Sequence, residues 1–205
     1  MKTLIAMFTA PTLLLLLSLV PILSQDKGST PEEEVEAWAK VHLPGDEHKM
    51  LTKYAGNWDL DISLTFTPGS DPVKIKGASK FESAMGGRFL HESYDMKEGP
   101  MAHTGEIWLG FDNVKKKYQF SQLTSMDTGM KLFEGDYDAK TKKLTLVSKY
   151  TLAMGEQRIE TTQRNIYHFE SDDKFSLTIM THYAGFPDMP EEGVKEVEVL
   201  YTRKK

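Results

Sequence analysis

From Trp58 to Arg203 the chain breaks into ten segments of period two, joined by short turns and with no helical pattern between them. The first shows the rule. Trp58, Leu60, Ile62, Leu64 and Phe66 share one face, while Asp59, Asp61, Ser63 and Thr65 take the other, as in a half-buried strand. Later segments cover 73–85, 88–96, 101–111, 117–126, 130–137, 143–152, 157–169, 174–183 and 194–203. In the second, Val73, Ile75, Gly77, Ser79, Phe81, Ser83 and Met85 share the apolar parity. Turn residues punctuate them at Pro68-Gly69, Gly86-Gly87, Gly99-Pro100, Asp112-Asn113, Asp127-Thr128-Gly129, Asp138-Ala139-Lys140, Gly155, Asp172-Asp173 and Gly185. Strands joined this tightly run antiparallel as a meander. About ten of them curl and close, which removes exposed edges. The expected fold is all-β, a single antiparallel up-and-down barrel of about ten strands with a short N-terminal helical segment.

Ahead of the strands the chain changes character twice. Residues 1–24 read as a secretory signal peptide, with Lys2 at the start, an apolar run through Leu13–Leu17, Leu19 and Val20, and Ser24 at a plausible cut. An uncleaved anchor is the alternative, since that run approaches the ~20 residues that span a bilayer; Pro11 and Pro21 count against it. The expected location is therefore secreted or periplasmic, with no membrane association after signal removal. Residues 25–43 form a linker and a short amphipathic helix: Thr30 caps, Pro31 takes the first helical position and Glu33 completes a capping box. Val35, Trp38, Ala39 and His42 fall on one face, which calls for a partner surface. Pro44-Gly45 ends this helix, and a second turn over 46–55 leads into the barrel domain, 44–205.

Composition removes several function classes. The chain has no cysteine, which excludes disulfides, thiolate metal sites, a lipidated cysteine and a cysteine nucleophile. With 25 basic and 30 acidic residues and a formal charge of −5 it has no basic stripe for nucleic acid. Lys115-Lys116-Lys117, the densest basic run, follows a turn and reads as a solvated hairpin tip.

Several sequence elements occur together in a fixed order: Ala37-Trp38, Pro44-Gly45-Asp46-Glu47-His48-Lys49-Met50-Leu51 and Ala55-Gly56-Asn57-Trp58. Then come Pro68-Gly69, Gly86-Gly87-Arg88-Phe89-Leu90, Gly110-Phe111-Asp112-Asn113-Val114-Lys115-Lys116-Lys117-Tyr118, Met126-Asp127-Thr128-Gly129 and Tyr201-Thr202-Arg203-Lys204. In that order they resemble the bacterial family of domain of unknown function 1579. The resemblance implies a calycin-like, lipocalin-related barrel with no established activity. It also implies that Trp58 of the Gly56-Asn57-Trp58 motif lies across a closed end with Arg203 packed over it. The chain departs from the family at Gln122 and Thr124, where Trp and Asp are common.

Candidate chemistry is sparse. His42, His48, His91, His103, His168 and His182 form no metal-spaced pair, and there is no nucleophile elbow or phosphate loop. His48 reads either as a functional group at the barrel mouth or as a helix residue bonded to the loop it covers. Glu82, Glu92, Glu106 and Glu134 are carboxylates whose separations nothing local fixes. On the fifth strand Tyr118, Phe120, Gln122, Thr124 and Met126 share parity; facing inward, they would give the mixed aromatic and polar lining of a ligand pocket. A packed core with Gln122 and Thr124 hydrogen-bonded internally is the other possibility. Arg88, Glu92, Tyr94 and Trp108 share parity on their own strands, and Arg164 joins them if its strand has no bulge.

The function expected is an exported, cofactor-free protein that binds a small, partly apolar molecule. Acid–base catalysis in the same cavity and a scaffold docking a protein through the 32–42 helix are the alternatives. A histidine-held heme is a variant, with His168 and His182 as its nominal ligands.

Overall fold

A computed structural model describes residues 29–67, 69–96 and 101–205. The signal-peptide reading, its cleavage at Ser24 and the Gly99-Pro100 turn fall outside the described residues.

The first described unit holds one helix, α1 (Pro31–Val41). The Thr30 hydroxyl accepts from the Glu33 N–H and the Glu33 carboxylate accepts from the Thr30 N–H, so the capping box forms as its spacing requires. No residue of α1 is buried. On its apolar stripe Val35 and Trp38 are half exposed, and Trp38 stacks on His42 one turn along, at 4.4 Å between ring centroids.

The second unit, from Pro44 onward, begins with α2 (Asp46–Thr52) and continues into the strands. These are β1 (Gly56–Leu64), β2 (Val73–Ala84), β3 (Phe89–Met96), β4 (His103–Asp112), β5 (Lys117–Thr124), β6 (Lys131–Asp138), β7 (Lys143–Met154), β8 (Gln157–Ser171), β9 (Lys174–Tyr183) and β10 (Val194–Arg203). Every strand pairs antiparallel with its chain neighbours, and β1 closes on β10 with Trp58 opposite Arg203. The meander closes into a ten-stranded barrel.

Inside and outside follow from the alternation of each strand. β8 shows it at full length: Ile159, Thr161, Gln163, Asn165, Tyr167 and Phe169 are all buried, and the residues between them are not. The two ends of the barrel differ. At one, α2 packs against β3, β4 and the 3-10 turn Met85–Gly87, burying His48 and Leu51. At the other, no helix of this unit lies over the lumen among the described residues.

Under α2 the lining is aromatic. Trp58 is fully buried among Tyr54, Phe81 and Phe175, and Phe175 stacks on Tyr201 at 4.2 Å. The Trp58 indole N–H donates to the Tyr54 carbonyl at 3.0 Å, so its polar atom is satisfied inside the core. Arg203 covers this end: its guanidinium sits 4.4 Å from the Trp58 ring and donates to the carbonyls of Ala55, Lys53 and Asp172. Gly56 makes room for it. With φ at +142° and a hypothetical Cβ only 2.5 Å from Arg203 Nη1, a side chain there would displace the guanidinium.

His48 belongs to this closed end, away from the mouth. Its Nδ1 accepts the Gly45 N–H at 3.0 Å, and its ring meets Phe111 edge-on. It fastens the loop that starts α2.

Candidate functional site

The lumen at the end opposite α2 is lined by a polar band. β5 contributes Gln122 and Thr124, β6 Lys131, β7 Ser148 and Tyr150, and β8 Thr161, Gln163 and Asn165. Thr181 and Tyr183 of β9 and Glu196 of β10 continue it. The opposite wall is apolar, with Leu64 and Ile75 flanked by Met96 and Val197. In a closed barrel, water reaches an inward side chain only through the lumen. Gln122, Thr124, Lys131 and Tyr150 point inward yet keep partial exposure, so solvent enters here.

The band is wired together. Tyr150 donates its hydroxyl to Gln163 Oε1 at 2.9 Å, and Gln163 Nε2 donates to Asn165 Oδ1 at 2.8 Å. Gln122 Nε2 donates to the Tyr94 hydroxyl at 3.3 Å. Gly105 permits this, because the Tyr94 ring lies where a Cβ would stand, 2.2 Å from it. Glu196 owes its inward position to a bulge between Lys195 and Val197 on β10. There its carboxylate accepts from the hydroxyls of Thr181 and Tyr183. Burial pushes the Tyr150 phenol up to about 12, and it raises those of Tyr94 and Tyr183 as well.

Deeper in, Glu92 is 1% exposed. The Ser79 hydroxyl donates to its Oε1 at 2.8 Å, whereas its Oε2 has no hydrogen-bond partner among the described residues. Burial pushes this carboxyl up to about 7, against the lowering pull of Ser79 and the Tyr201 hydroxyl. The cavity beside it, walled by Leu51, Tyr54, Phe81 and Tyr167, measures about 10 Å³, the room of a single water.

The residues singled out from sequence divide four ways. Glu92, Tyr94, Gln122 and Thr124 face the lumen. Tyr118 and Phe120 also face in, but both are buried with other rings, Tyr118 against Phe111 and Tyr137 and Phe120 against Phe133. Arg88 and Met126 lie off the strands: Arg88 folds back to donate to the Met85 carbonyl, and Met126, half exposed, follows the end of β5. Trp108 and Arg164 face outward. On β4 the inward set is Gly105, Ile107 and Leu109, so the Trp108 ring stacks outside on His91 at 4.3 Å. Arg164 donates to the carbonyls of Glu191 and Glu192. One residue of offset decides the face, and parity must be counted strand by strand.

The carboxylates divide in the same way. Glu82, Glu106 and Glu134 sit outside, paired with Lys80, His91 and Lys115. His168 and His182 are outward on β8 and β9, since their neighbours Tyr167, Phe169 and Thr181 are the buried ones. Among the described residues no three His, Asp or Glu side chains cluster as a metal site. Sequence reasoning passed over Lys131, Tyr150, Gln163 and Asn165. Parity with Phe133 marks Lys131, and parity with Ile159, Tyr167 and Phe169 marks Gln163 and Asn165; Glu196 had no such signal because the bulge shifts its face.

The model of a family described as protein of unknown function matches residues 43–200, from just before α2 almost to the end of β10. The chain belongs to the DUF1579 family. No curated protein matches it. Among solved structures it is similar to Rv2717c from M. tuberculosis, at 14% identity and a TM-score of 0.56, over 78% of this chain and 99% of that one. At that identity the likeness is one of fold. Membership in DUF1579 accords with the calycin-like barrel and names no activity.

Proposed function

We propose that this DUF1579 protein is exported and that the open half of its barrel holds a small, partly apolar molecule. The observation that carries the reading is the exposure pattern: inward side chains are sealed under α2, whereas at the other end Gln122, Thr124, Lys131 and Tyr150 keep partial exposure on a polar wall that faces apolar Leu64 and Ile75. Ligand pockets combine apolar walls with a few placed polar groups in this way. The reading assigns no cofactor.

Acid–base catalysis has one observation in its favour, the neutral-range carboxyl of Glu92. Its walls are rings and aliphatic chains, and the other inward carboxylate, Glu196, is held by two hydroxyls. Binding accounts for more of the lumen than proton transfer does.

Native mass spectrometry of the protein purified from its own host tests the proposal. The expected spectrum shows a small mass retained on the folded chain and released on denaturation. Protein that emerges empty, and that takes up neither a charged nor a neutral apolar dye, would sink it.

A further inference from the structure

Among the described residues two charged side chains, Glu196 and Lys131, face the open lumen, and they differ in how they are satisfied. Glu196 receives two hydroxyl hydrogen bonds. Lys131 has no ion pair and no hydrogen bond among the described residues; its ammonium stands 4.5 Å from the centroid of the Tyr150 ring. Its position is fixed, because it lies directly opposite Gln122 in the β5–β6 register and shares parity with buried Phe133. Burial pulls the ammonium below the ordinary lysine range, with Asp127 and Glu196 drawing it back. A half-buried cation needs a counter-charge or a hydrogen-bond acceptor, and an aromatic face supplies only part of that.

The surroundings specify the rest of the partner. Gln122, Tyr150 and Gln163 lie on the same wall as Lys131 and offer further polar contacts. Five strands around the barrel, the facing wall at this level is Leu64 and Ile75. A molecule bridging these walls needs an anionic group on one side and an apolar body on the other.

We propose that the lumen takes anionic amphiphiles, with the carboxylate, sulfonate or phosphate group at Lys131 and the apolar body against Leu64, Ile75 and Val197. This rests on the binding function proposed above and adds the sign of the ligand's charge and the residue that reads it.

The test uses two dyes of one skeleton, anilinonaphthalene sulfonate and the uncharged N-phenyl naphthylamine, titrated by fluorescence into the purified protein. Wild type should hold the sulfonate about tenfold more tightly than the neutral dye. Lys131→Met should bring that ratio to about one while changing neutral-dye affinity less than about twofold, and Lys131→Arg should keep most of it. Lys149→Met, an exposed lysine on the outer face of β7, should leave the ratio unchanged. A second readout needs no variant: bound sulfonate should shield Lys131 from reductive methylation, read by peptide mass. A ratio that survives in Lys131→Met, or labelling of Lys131 indifferent to the dye, would overturn the proposal. Neutral dye bound with no preference for the sulfonate overturns the charge assignment alone; failure of both dyes to bind overturns the binding function with it.

Discussion

The two ends of the barrel interior are lined by the same ten strands through the same alternation, yet one is packed solid with rings and the other carries a polar band that is partly open to solvent. Under α2, ring packs on ring from Tyr54 to Tyr201, and the space left beside Glu92 holds no more than one water. Toward the other end the inward residues shorten or turn polar, as β8 shows in passing from Phe169 and Tyr167 to Asn165, Gln163 and Thr161. Aromatic side chains bury the most apolar area and so supply the stability. Polar inward residues forgo that area, and a barrel tolerates them because its other half is already dense. Stability and recognition occupy separate halves.

Four substitutions would test that division, beginning with the largest effect. Trp58→Ala should cost about 3–5 kcal/mol in denaturant melts, since it empties the centre of the aromatic half. Arg203→Ala, which strips the cover from the same ring, should cost less, about 0.5–2 kcal/mol. A neutral Trp58→Ala would mean that the closed half does not carry the fold.

The next change concerns Glu92, a carboxyl set at the edge of the dry half. Its folded value of about 7 stands above the 4.5 of an ordinary glutamate, so between those two pH values the folded chain holds a proton that the unfolded chain has lost. Stability should therefore be complete below about 4.5, fall as pH rises toward 7, and level off above, by on the order of 3 kcal/mol in all. The surface carboxylates lowered by cations, such as Asp172 beside Lys53 and Glu134 beside Lys115, act in the opposite sense and only at lower pH. Glu92→Gln should flatten the slope between 4.5 and 7. If the variant keeps the full slope, the carboxyl is not dry and the boundary between the halves lies elsewhere.

The smallest effect belongs to the open half. Gln122→Leu removes a polar group that solvent and Tyr94 share, and stability should move by no more than about 1 kcal/mol. Uptake of the anionic dye should weaken nonetheless, because the wall beside Lys131 loses a polar contact. Unchanged binding with a lowered melting point would make Gln122 a core hydrogen-bonder and erase the contrast.

Much of this was legible in the residues themselves. Period-two alternation and turn chemistry are local, so the ten strands, their antiparallel order and their closure follow from the order of side chains along the chain. The resemblance to the family marked the Gly56-Asn57-Trp58 motif and Arg203 as the closed end, and in the structure glycine leaves room there for the guanidinium, which lies over the indole. The capping box of α1 formed because its spacing is local.

What the tertiary structure alone decided is which inward residues stay wet. Alternation names a face and says nothing about depth, so Tyr118 and Gln122 look equivalent on β5 although one is sealed against Phe111 and the other opens to solvent. Trp108 by parity, and Arg164 on the condition of an unbulged strand, read as pocket residues, and the register of β4 and β8 turned both outward. Glu196 entered the lumen through a bulge, a long-range accommodation between β9 and β10 with no signature in the local pattern. Lys131 reads in sequence as an ordinary charged residue at a strand start. Only closure of the sheet, which sets β6 across the lumen from β1 and beside the Tyr150 ring, makes it an inward cation with no ion pair among the described residues.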